Sequence, residues 1–264
     1  MNLKLTTVTA LACAALTAGA LGGGGTALAA DSPSPSASPS AALASNGVAK
    51  LSGPNVVLSA IKALKDGHSS HVNGRIDDGV NLVTFDLSMD VGGNCNGSVS
   101  ESFLGNFQVT RVGNDLWVKP DQAFWQNHGG QAVAKLVGDR YLKTTADNVQ
   151  FLELASICDL SQLADSLSPT GVDLTTGPQG SSNGVPAVSV LGTKGEEHGT
   201  LWVATQGRPY PLHFQRTGGI GSEMLNFKEF SVPVKKTTPA PSQSIDLNRL
   251  TQIFGSTPSG TATT

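Results

Sequence analysis

The clearest pattern in the chain is strict alternation. In Val83-Thr84-Phe85-Asp86-Leu87-Ser88-Met89-Asp90-Val91 every odd position is apolar and every even one polar, as in an antiparallel strand with one buried and one wet face. Further strand candidates follow at 98–104, 107–112 and 116–119, separated by Gly105-Asn106 and Gly113-Asn114-Asp115. Those turn residues predict hairpins and hence a meander. Ahead of the strands the period is helical: Pro54 supplies a first-turn residue, Val57, Ile61 and Leu64 recur at spacings of four and three, and Gly67 ends the run. Helical spacing returns weakly over 131–136 and strongly over 148–167, where Leu160, Leu163 and Leu167 share a stripe and Asp159 is placed as an N-cap. A second strand set is predicted at 187–191, 200–204, 212–216 and 223–232. Helix, strands, helices, strands, with antiparallel pairing, defines an α+β fold.

Alternation also assigns faces. Phe85, Leu87 and Met89, then Phe107 and Val109, Leu201 and Val203, and Leu212 and Phe214 fall on the inner, apolar side. Trp117 and Trp202, each inside a Leu-Trp-Val triplet, fall on the opposite side. They are read as amphipathic rings filling gaps between hairpins, with braces of the outer face or a partner-binding surface as the alternatives.

The chain ends differ from its body. Lys4 precedes an apolar stretch over 5–21, closed by Ala27-Leu28-Ala29, which reads as an export signal cut after Ala29. The glycines from Gly22 to Gly25 break the run short of the roughly 20 residues a membrane span needs. Cys13 lies inside the apolar run, so lipid anchoring is not favoured, and the protein is expected to be secreted or associated with the cell envelope. The Pro/Ser-rich stretch 31–45 cannot bury enough surface to offset its ordering entropy. The expected organisation is therefore a signal peptide at 1–29, a linker at 30–50, a folded body at 51–236 and a low-complexity tail at 237–264. Within that tail, Ile245, Leu247, Leu250 and Ile253 form a patch able to dock as a turn of helix. Export leaves Cys95 and Cys158, an even pair without CxxC spacing, which points to a disulfide rather than a metal site; two free buried thiols are the alternative.

Candidate chemistry is sparse. A formal charge of −3, with 17 Lys and Arg spread thinly, gives no footprint for nucleic acid. The His68 and His71 pair follows a helix end and has no further ligand in spacing, so no metal is expected. No G-x-S-x-G elbow marks a nucleophile, and no catalytic residue and no cofactor are assigned.

The order of elements resembles the LolA/LppX-like lipoprotein-carrier superfamily, in particular its exported LppX, LprA, LprF and LprG group. The resemblance rests on ALKDGHSSHVNGRI, where a helix turns into a strand, on the hairpin VTRVGNDLWVKPDQAFWQ, on the helical LELASICDLSQLADSL, and on GTLWVATQGRPYPLHFQ followed by LNFKEFSVPVKKTTP. It implies a strongly curved antiparallel half-barrel sheet with helices covering its concave face, and acyl chains held between the two layers. On that basis the inner-face residues named above become a ligand-binding cavity, and the function becomes a non-enzymatic carrier of a lipid or lipoglycan. The alternative is an extracytoplasmic interaction or sensor module with a membrane-associated partner protein. The group usually carries a lipidated Cys directly after its signal, and this sequence has none there.

Overall fold

The computed structural model describes residues 44–125 and 130–255. The expected signal segment, Cys13, most of the expected linker and residues 256–264 lie outside them.

Pro54 and Gly67 bound helix α1 (Gly53–Asp66), whose buried side chains Val56, Val57, Ala60, Ala63 and Leu64 recur at helical spacing. A turn with His68 at φ 64° leads into β1 (Ser69–Asp77). The meander follows as β2 (Leu82–Asp90), β3 (Cys95–Glu101), β4 (Gly105–Val112) and β5 (Asp115–Pro120). Helices α2 (Gln122–Phe124) and α3 (Gly130–Val137) come next, then β6 (Tyr141–Thr145), and then α4 (Leu152–Ile157) and α5 (Leu160–Ser166). The second strand set is β7 (Asp173–Ser182), β8 (Val185–Lys194), β9 (Glu197–Ala204), β10 (Pro211–Thr217) and β11 (Ser222–Lys228). The described chain ends with β12 (Ser244–Asp246) and α6 (Leu247–Gly255).

All twelve of these strands form one open sheet in the order β12-β6-β5-β4-β3-β2-β1-β11-β10-β9-β8-β7. Neighbours are antiparallel apart from the parallel β12–β6 pair. Because β11 returns to lie beside β1, the two halves join edge to edge at the centre of the sheet. The sheet is a curved half-barrel, as the resemblance implied. Its inner residues pack against helices in one core that joins Leu87, Met89, Val109, Leu116 and Val118 to Leu64, Ala155, Leu160 and Ala164.

Besides β12, three strands escape the periodicity reading. β1 has Val72 and Ile76 as its large aliphatic side chains, and its other positions are polar or glycine. The β7 strand contains Gly177-Pro178 at a register shift between Thr176 and Gln179, and proline is tolerated at a bulge on an edge strand. β6 is only five residues long. The predicted helix over 148–167 is two helices, broken at Cys158. Asp159 caps the second, its carboxylate accepting from the backbone N–H of Ser161 at 2.9 Å and of Gln162 at 3.2 Å.

Cys95 and Cys158 are bonded, which ties the start of β3 to the α4–α5 junction across a sequence separation of 63. The turn before Cys95 is organised by Asp90, whose Oδ1 accepts from the backbone N–H of Gly92 and Asn94, both at 2.9 Å. Arg111 reaches from β4 to the carbonyl of Ala155 at 2.9 Å.

The boundaries expected at residues 50 and 236 leave out chain that the sheet takes up. Ser45 bridges to Gln206, and Val48 is buried against α1 and β8. After β11 the chain crosses toward the far end of the sheet, where Lys235 shares clefts with His71, Ser88, Asn96 and Thr110. There β12 adds to β6, and Leu250 of α6 is buried with Trp125, Val137 and Leu142. The apolar patch in the expected tail thus docks as a strand and a helix.

Candidate functional site

Inner-face alternation carries through β8 to β11. Val188 and Val190, Leu201 and Val203, Phe214, and Leu225 all point to the concave side, where Val56, Val57 and Ala60 of α1 cover part of them. The pattern then fails at two positions. Gly192 and Gly199 are directly paired across the β8–β9 ladder, on that same side. Two facing glycines leave a floor without side chains, and above it lies a partly open cavity of about 200 Å³. Its walls are Val57 from α1, Leu167 and Val172 from the connection after α5, Leu174 from β7, and Leu201 and Phe214 from the sheet. A Cβ added at Gly199 would meet its nearest atoms at 3.7 Å and 3.8 Å, whereas one at Gly192 would press on Leu174 at 2.9 Å. The space over Gly199 is therefore free for want of a side chain, while Leu174 and Val172 close over Gly192.

The mouth of the cavity is polar. Two residues beyond the last apolar or glycine position of each strand, the inner face carries Lys194, Glu197, Arg216 and Glu223. Arg216 Nη1 donates to Glu197 Oε1 at 3.0 Å, and its Nε lies 3.5 Å from Glu223 Oε2. Burial pushes the Glu223 carboxyl up from the usual glutamate range, against the opposing pull of the Arg216 guanidinium beside it.

The sequence-predicted inner residues divide into groups. Leu87, Met89 and Val109 are fully packed in the main core, where helix side chains fill the space over them. Phe85 lies across Gly74, where an added Cβ would approach its Cζ to 2.5 Å, and Phe107 meets Phe124 edge to face with ring centroids 5.5 Å apart. Val203 is buried against α1, while Leu201 and Phe214 line the cavity. Leu212 goes to the other side: a register shift between Pro211 and His213 places it with Ala187 and Ala204, against Trp202 and Phe230. Period two cannot carry across a bulge, which inserts one residue and redirects its side chain. Sequence reasoning missed the glycine floor. Glycine inside a strand, a known marker of close approach by a ligand or another chain, was the signal that pointed to it.

Trp117 is buried outside the main core with Lys143 Nζ 5.3 Å from its ring centroid, and Trp202 covers Gly180. Both sit on the outer face and brace it. His71, also on that face, has Nδ1 3.1 Å from Ser88 Oγ and Nε2 2.8 Å from Asp86 Oδ1, the latter in ion-pair range but not aligned as a hydrogen bond.

No protein-family model matches the chain, and no curated protein matches it. Solved structures do. LprF from Mycobacterium bovis is 14% identical, with 75% of this chain and 99% of that chain covered and a TM-score of 0.51. The lipoprotein LppX from Mycobacterium tuberculosis is 16% identical over 70% of this chain and 99% of that one, with a TM-score of 0.45. A LolA superfamily protein from Nitrosomonas europaea is 9% identical over 72% and 96%, with a TM-score of 0.28. The likeness to LprF shows the fold alone: this chain has the curved half-barrel architecture that the resemblance of its order of elements implied.

Proposed function

We propose that this is an exported, non-enzymatic lipid-binding protein that shelters an acyl chain between its sheet and its helical cover. The observation that carries the reading is the mainly apolar cavity over Gly199, walled by Val57, Leu167, Val172, Leu174, Leu201 and Phe214, with charged side chains at its mouth. An acyl chain needs no metal or nucleophile; it needs a greasy, partly preformed space. Each methylene taken from water contributes about 0.8 kcal/mol before ordering and association costs, so a handful of sheltered groups is enough for measurable binding. The disulfide supports a location outside the cytosol. The carrier architecture supports the class of function.

Organic extracts of the purified, folded protein, examined by mass spectrometry, test the reading. Acyl-chain species are expected with the wild type and are expected to disappear with Gly199→Val, which fills the floor. An empty wild-type protein that also fails to take up added fatty chains would overturn the carrier reading and leave a protein-capture module on the same fold.

A further inference from the structure

Charged side chains on the concave side of a sheet are unusual, because that side normally faces a core. Here four of them, Lys194, Glu197, Arg216 and Glu223, converge at the mouth of one apolar cavity. Arg216 is shared between two carboxylates, at 3.0 Å from Glu197 and 3.5 Å from Glu223. Lys194 makes no ion pair among the described residues, and it is exposed. The formal count is two cations against two carboxylates, and both carboxylates lie on Arg216. Lys194 is therefore the cation that the carboxylates of this mouth leave unpaired among the described residues. The cavity, at about 200 Å³, is smaller than the roughly 300–1,000 Å³ of drug-sized ligand pockets. That volume suits one narrow chain rather than several.

We propose that the cavity binds a single-chain amphiphile with an anionic headgroup, of which a fatty acid is the simplest, its tail beside Leu167, Leu201 and Phe214 and its headgroup at Lys194 and Arg216. The proposal rests on the reading of this cavity as an acyl-chain site. It adds the number of chains and the sign of the headgroup.

Calorimetric titration of the full mature chain with decanoate and with decanol separates the two claims. Decanoate is expected to bind about tenfold more tightly than decanol. Lys194→Ala is expected to weaken decanoate about fivefold and to leave decanol unchanged, as loss of a charge-assisted contact at an exposed position should. Gly199→Val is expected to abolish both. Equal binding of decanoate and decanol, or a Lys194→Ala effect common to both, would overturn the headgroup assignment while leaving the acyl-chain reading intact. Failure of the wild type to bind either probe overturns the acyl-chain reading, and this proposal falls with it.

Discussion

Gly192 and Gly199 face each other on the concave side of the β8–β9 ladder, and the cavity takes up the volume a side chain at Gly199 would fill, while Leu174 and Val172 close over Gly192. At Gly199 that volume is free: the nearest atoms to an added Cβ are the Gln215 carbonyl oxygen at 3.7 Å and a Phe214 ring carbon at 3.8 Å. Valine is also the better strand residue, on a scale spanning about 1 kcal/mol. Gly199→Val is thus expected to hold or raise Tm by roughly 2–4 °C while eliminating acyl-chain uptake. Thermal unfolding paired with uptake checks this, and a stable variant that still takes up lipid would place the ligand elsewhere.

The bond between Cys95 and Cys158 closes a loop across a sequence separation of 63. In the chain-entropy account such a loop contributes roughly 4 kcal/mol by restricting the unfolded chain. Replacing both cysteines with serine should lower urea-unfolding stability by up to that amount. A reductant should destabilise the wild type and have no effect on the double variant.

Glu223 gives a pH signature. Its folded carboxyl is raised by burial, so it favours the folded state while protonated. That contribution is complete below the ordinary glutamate range and is lost as pH rises through the elevated folded value. Glu223→Gln keeps the shape and removes the titration. The variant should match the wild type below the ordinary glutamate range and become the more stable of the two as pH rises past it, in urea melts at a series of pH values. A constant difference across that range would mean that Glu223 is not the group responsible.

The segment beyond β11 is structural. Leu250 is 6% exposed, in a cluster with Trp125, Val137 and Leu142. Leu250→Ala should cost about 2 kcal/mol, the lower end for buried leucine because α6 lies at the edge of the sheet. Limited proteolysis should then cut after β11 more readily than in the wild type.

Much of this architecture is written in the order of residues. Alternation from Val83 to Val91 specified β2 and its buried face, Pro54 and Gly67 bounded α1, and Asp159 announced the start of α5, because each of these signals acts within a few residues of itself. The cysteine pairing was legible for a similar reason, since two thiols in a chain read as exported have few other partners. What the tertiary structure alone decided is where the inner face remains hollow. Leu87, Met89 and Val109 carry the same sequence signal as Leu201 and Phe214, yet helix side chains fill the space over the first group, while Gly199 leaves it open beside the second. Leu212 was redirected by a bulge, and β1, β6 and β7 became strands because neighbouring ladders satisfied their backbone groups. Periodicity reports which way a side chain points, but whether another side chain meets it there depends on contacts between elements far apart in the chain.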